Sequence, residues 1–216
     1  MRPPEDWRRA RVTLGLTIVT AVAWVILNIV PVNGGTLNGA AALWGGFIPA
    51  RIEASPPGFA PIWLTPLTAT LVHANLVHLA FNLIIFAFCG RPTENVLGPV
   101  ALAILYVVGA YAAAAAHYVL APHDITPMIG ASGAVAAVIG AYSMLFGRNK
   151  VKVSNPRLAL LLNALWLMAA WVILQLIVGL TFASAGIQVA IAAHVGGFLV
   201  GVALAYPLLL LKYRKA

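Results

Sequence analysis

Four polar side chains stand inside apolar stretches of this sequence at spacings that would let them act together: Ser132, His194, His78 and Asn82. A serine hydroxyl becomes a competent nucleophile when a neutral imidazole takes its proton, and the same imidazole can then protonate a departing amine. Ser132, in Gly130-Ala131-Ser132-Gly133, and His194, followed by Gly197 and Gly201, supply such a pair. His78 and Asn82 are four residues apart and share one face of a helix. With the Ser132 backbone amide they are the donors that could complete a hole for the oxyanion formed when a carbonyl is attacked. Taken singly, each motif has a blander explanation in helix packing, a polar interhelical contact or a satisfied core histidine. Only the elements that carry them can bring them together.

Those elements are membrane spans. The chain has 216 residues, 62% hydrophobic and 8% charged, where a soluble domain would carry roughly 25% charge. Between Arg157 and Lys212 run 54 residues without one Asp, Glu, Lys or Arg, enough for two spans and a turn. Cutting the chain at charges, prolines and glycines predicts six helices, at about 12 to 30, 67 to 89, 99 to 120, 132 to 146, 158 to 182 and 187 to 211. The expected fold is an all-α polytopic membrane protein, one domain over 1–216. It has an N-terminal tail at 1–11, an outer interfacial loop at 31–66 rich in Pro and aromatics, and a C-terminal tail at 212–216.

Charge sets the direction. With the N-terminus in the cytoplasm, twelve of the thirteen Lys and Arg fall inside and only Arg51 outside. Both termini are therefore expected in the cytoplasm. The net charge of +8 comes in short clusters between apolar runs, with no basic stripe interleaved with aromatics, so it reads as a topology signal and not as nucleic-acid binding.

Depth then unites the polar residues. The fourth span has about 15 residues, a rise of roughly 22 Å against a bilayer core of about 30 Å, so its N-terminal end, with Ser132, lies below the outer surface. His194 lies about 10 Å inside the outer end of the sixth span, and His78 and Asn82 at a comparable depth on the second. His73 is expected one turn nearer the surface on that same helix. Gly133, Ala137 and Gly140 face Gly197 and Gly201 as small residues that permit two helices to approach closely.

On Gly130-Ala131-Ser132-Gly133 with Ala137 and Gly140, on His73, His78 and Asn82, and on His194 with Gly197 and Gly201, the sequence resembles the rhomboid family of intramembrane serine proteases. The resemblance covers the second to sixth spans in order and implies a six-helix bundle with a short, sunken fourth helix. It implies Ser132 as nucleophile, His194 as general base, and His78, Asn82 and the Ser132 amide around the oxyanion, with Gly130, Gly133, Gly197 and His73 in support. The implied reaction is hydrolysis of a peptide bond in or near the transmembrane segment of a single-pass protein, without cofactor or metal, in a bacterial cytoplasmic membrane. The rival is a relative of the same fold that binds or chaperones transmembrane helices without cutting them. Four residues after Ser132, where many family members place a Tyr on the imidazole, this chain has Ala136, and Trp63 is followed by Leu64 where a Trp-Arg pair is common.

Other chemistries find little support. The single cysteine, Cys89, makes neither an internal disulfide nor a multi-cysteine metal cluster. Asp124 is the only aspartate beyond the N-terminal tail, too few for an aspartyl intramembrane protease, and no His-Glu-x-x-His string exists. His117 and His123 read as interfacial, and Asn28, Ser143, Asn163 and Gln175 as interhelical hydrogen bonds or cytoplasmic-end residues.

Overall fold

A computed structural model describes residues 6–32, 35–53, 57–147, 153–184 and 190–214. Arg2, Arg148, Lys150, Lys152 and Lys215, which enter the charge asymmetry, lie outside these residues, as do parts of the tails and of the outer loop. The helices are α1 (Arg11–Ile29), α2 (Leu37–Gly45), α3 (Thr65–Thr68), α4 (Leu76–Leu97), α5 (Pro99–Leu120), α6 (Ser132–Phe146), α7 (Pro156–Ser184) and α8 (Ile191–Tyr213). Strands β1 (Pro31–Val32) and β2 (Gly35–Thr36) form a small antiparallel hairpin after α1. Among the described residues five helices are long and apolar enough to cross a membrane: α1, α4, α5, α7 and α8. α6 is a shorter apolar helix of 15 residues.

Packing explains why α6, shorter than the five spanning helices, is better covered than any of them. α8 lies against both α6 and α5, α4 covers another side of α6, α1 leans on α4, and α7 packs against α8. Gly133 to Val138, Gly140 and Ala141 of α6 are all buried, whereas Phe81, Ile84 and Phe88 of α4 and Leu161, Trp166 and Ile173 of α7 are exposed. Large apolar side chains on the outer helices thus face the surroundings, the arrangement expected where those surroundings are lipid. The core joins Phe86 and Cys89 of α4, Leu102, Leu105 and Tyr106 of α5, Val135 and Val138 of α6, and Ala205 and Leu208 of α8.

α6 and α8 meet backbone to backbone. A Cβ at Gly197 would overlap the carbonyl oxygen of Gly133, and one at Gly201 would overlap that of Ala137. Hydrogen replaces a side chain where the two axes come closest.

The structure corrects the second predicted span. Residues 67 to 75 do not belong to it: α3 and a 3-10 turn at Ala69–Leu71 give way to an extended break, and α4 starts at Leu76. Asn75 caps it by accepting the His78 amide at 2.9 Å. At the other end α4 continues past the boundary at 89 to Leu97. It contains Pro92, and Thr93 Oγ1 donates to the Cys89 carbonyl at 2.7 Å. The connection from α1 to α3 is not all loop: it also holds α2 and a 3-10 turn at Pro49–Ile52. It is tied to the α5–α6 connection by Phe47 and Met128, whose amides and carbonyls pair at 3.1 and 2.8 Å.

One buried acidic side chain ties α4 to the start of α1. Glu94, near the end of α4, is 1% exposed and accepts the backbone amides of Val12 at 2.9 Å and Thr13 at 2.8 Å. Its carboxylate therefore occupies the N-terminus of α1, where Ala10 makes no side-chain cap.

Candidate active site

Ser132 is the first residue of α6. Its backbone N–H belongs to the first turn, whose amides have no intrahelical acceptor, and the partial positive charge of the helix end is concentrated there. α8 brings His194 to it. The Ser132 Oγ lies 2.8 Å from His194 Nε2, a hydrogen bond between residues 62 positions apart.

The other imidazole nitrogen is engaged by α7. Gln175, 6% exposed, places Oε1 2.7 Å from His194 Nδ1. One turn earlier, Trp171 Nε1 donates to the His194 carbonyl at 3.2 Å, and its ring stacks on Phe198 with centroids 4.8 Å apart. Ala136 lies in a small core with Phe198 and Val202, against which Trp171 also packs. The anchoring of His194 thus comes from α7, not from the α6 position one turn after Ser132. From sequence Gln175 reads only as an interhelical hydrogen bond or a cytoplasmic-end residue, since nothing in its local pattern points toward residue 194.

The segment leading into Ser132 is held by two histidines. His78 presses its ring on Gly130: a Cβ there would lie 2.6 Å from Cε1 and 2.7 Å from Nε2. Gly130 also has φ +107°, which L side chains rarely adopt, so glycine is required twice over. His73 is not on α4 as expected. It lies in the extended break before it, fully buried, where its Nε2 accepts the Ala131 amide at 3.4 Å and its ring meets His78 edge to face with centroids 5.0 Å apart. Asn38 of α2 donates to the His73 carbonyl at 3.0 Å and ties that break to α2. Burial, reinforced by the neighbouring His78 imidazole, lowers the His73 pKa to about 4.

Asn82, 5% exposed, donates from Nδ2 to the His78 carbonyl at 2.9 Å, leaving that nitrogen's second hydrogen for another acceptor. Gly133 and Gly197 sit at the α6–α8 contact that carries Ser132 and His194. His117, in the last turn of α5, pairs with Asp124 of the α5–α6 connection at 3.5 Å. Among the described residues no three His, Cys, Asp or Glu side chains cluster as metal ligands would.

A hydroxyl bonded to an imidazole whose far nitrogen is itself engaged, at the N-terminus of a buried helix, is an arrangement suited to acyl transfer. Comparison with known proteins points the same way. Residues 61–211 match the family model described as the Rhomboid domain, and the chain belongs to the rhomboid family. It is 33% identical over 138 residues to Rhomboid protease GlpG of Pectobacterium atrosepticum, covering 63% of this chain and 45% of that one. It is 31% identical over 137 residues to Rhomboid protease GlpG of Serratia proteamaculans, covering 62% and 44%. The chain thus spans less than half the length of these curated relatives.

Proposed function

We propose that this protein is an intramembrane serine protease that uses a Ser132/His194 dyad to hydrolyse a peptide bond in or near the transmembrane segment of single-pass membrane proteins. The observation that carries the reading is the 2.8 Å contact between Ser132 Oγ and His194 Nε2 at the start of α6.

The chemistry follows from the positions. Ser132 Oγ attacks the scissile carbonyl carbon as its proton passes to His194 Nε2, and the oxyanion is received by the Ser132 amide with His78 and Asn82 as side-chain donors. The tetrahedral adduct collapses by breaking the C–N bond, and the imidazolium returns its proton to the leaving amine. Water then attacks the acyl-serine, giving its proton to His194, and the acid is released as Oγ is reprotonated.

In this reading residues 1–216 form one membrane domain of six spans, α6 being the short one. Its serine is reached from the outer face of a bacterial cytoplasmic membrane and both termini are cytoplasmic. The charge asymmetry supports that direction, with twelve of thirteen basic residues on one side.

The test is incubation of the purified protein in lipid with a membrane-anchored peptide, beside Ser132→Ala and His194→Ala. Wild type should yield new fragments and take up a serine-directed phosphonate at Ser132, and neither variant should cleave. Binding of the peptide without fragments from wild type would favour a helix-binding protein of the same fold. Cleavage by purified Ser132→Ala would remove the serine mechanism.

A further inference from the structure

We propose that Gln175 of α7 is a positioning residue that fixes the tautomer and the ring orientation of His194; the role rests on the Ser132/His194 reading. A neutral imidazole has one N–H donor and one lone-pair acceptor, and the two tautomers differ in which nitrogen carries the proton. General-base chemistry at Ser132 requires the lone pair on Nε2, the nitrogen 2.8 Å from Oγ, and hence the proton on Nδ1. An amide oxygen only accepts. With the amide in the orientation of this structure, Gln175 Oε1 at 2.7 Å from Nδ1 pairs with the tautomer that carries the proton on that nitrogen. The opposite tautomer would set an Nδ1 lone pair against the Oε1 lone pairs and turn Nε2–H toward the serine, which would lose its proton acceptor.

The arrangement has a second anchor on the same helix face. Trp171, four residues before Gln175, donates from Nε1 to the His194 carbonyl at 3.2 Å and stacks on Phe198 at 9° between ring planes. One side chain of α7 holds the backbone of the residue and another holds its ring. Gln175 is 6% exposed, so an imidazole deprived of it would keep a buried N–H without that partner. The residue is neutral. It sets proton position and geometry without supplying the full charge that would stabilise an imidazolium, which separates it from the carboxylate of a serine triad.

The experiment uses the full chain in lipid bicelles with a fluorogenic single-pass peptide substrate, comparing wild type, Gln175→Met and Gln175→Glu. Gln175→Met keeps the length and removes the strong acceptor. It should lower kcat roughly 10- to 100-fold with KM within about twofold. Gln175→Glu restores an acceptor and adds a charge, so it should retain more activity than Gln175→Met and move the acidic limb of kcat upward by about one pH unit. A readout independent of cleavage is the 15N spectrum of histidine-labelled protein, with His194 assigned by loss of its signals in His194→Ala. Wild type and Gln175→Glu should show the proton on Nδ1, and Gln175→Met a mixture of tautomers. An unchanged tautomer in Gln175→Met, or kcat within twofold of wild type with an unmoved limb in Gln175→Glu, overturns the proposal. If the tautomer is on Nδ1 in wild type and mixed in Gln175→Met, yet wild type neither cleaves nor takes up the phosphonate, the proteolytic reading is removed and the Gln175–His194 pairing stays in place.

Discussion

Glu94 receives both the backbone N–H of Thr13, at 2.8 Å, and the hydroxyl of the same residue, at 2.7 Å, across 81 positions of sequence. Glu94 is 1% exposed and Thr13 fully buried, so the carboxylate exchanges its hydration for donors at the positive end of α1. Glu94→Ala leaves those donors buried without their acceptor and should cost about 1–3 kcal/mol of stability per unsatisfied group. Glu94→Gln, which keeps an acceptor oxygen, should cost less. The measurement is the unfolding midpoint in detergent, and equal midpoints for wild type and Glu94→Ala would refute the role.

The α6–α8 contact predicts a sharp response to size. Gly201→Ala adds a single methyl where the Ala137 carbonyl oxygen already stands, so the helices must separate. Overpacking of this kind costs about 1–3 kcal/mol, and separation also draws His194 from Ser132. Stability and cleavage should fall together. Gly15 of α1 has no heavy atom within 4 Å of an added Cβ, so Gly15→Ala is the control that should lower neither.

Asn82→Ala separates two roles. If the second Nδ2 hydrogen serves the oxyanion, the cleavage rate should fall by about 10- to 1,000-fold with modest change in KM. A variant with normal kcat and greatly raised KM would make Asn82 a substrate-binding residue instead.

Acid should loosen the turn before Ser132. The folded pKa of His73, about 4, lies below its ordinary value of 6.5, so between these values the unfolded chain binds the proton and the folded chain does not. The stability contribution is therefore present above about pH 6.5 and lost as pH falls toward 4. Thermal unfolding in detergent at pH 7 and pH 5 should show the loss in wild type and a smaller one in His73→Gln, whose amide oxygen can still accept the Ala131 N–H. The same loss in both would assign the effect to another group.

Selectivity should follow from helix unwinding. A peptide bond inside a regular helix is shielded by its flanking side chains, and exposing backbone groups in lipid costs several kcal/mol each. Of two matched substrates, one with Gly in the outer third of its span and one all Leu there, the first should be cut faster. Equal rates would show that unwinding is not the selective step.

Elements whose hydropathy is bounded by strong breakers are legible in the sequence. Gly98-Pro99 opens α5, and the glycines around residues 130 and 147 bracket α6, so both helices fall where the pattern puts them. The sequence also singles out Ser132, His194, His78 and Asn82, because a polar group in an apolar span is costly and therefore informative. The break at 72–75 was hidden by continuous hydropathy: hydrogen bonding of Asn75 and His73, not composition, ends one element and starts the next. What Glu94 caps and what holds His194 emerge only from how the helices pack. Each contact depends on how two helices are rotated about their axes, and one residue of difference turns a side chain by about 100°. That rotation is set by the packing of whole faces, such as that of Gly197 and Gly201 of α8 against Gly133 and Ala137 of α6, and leaves no local mark at Gln175.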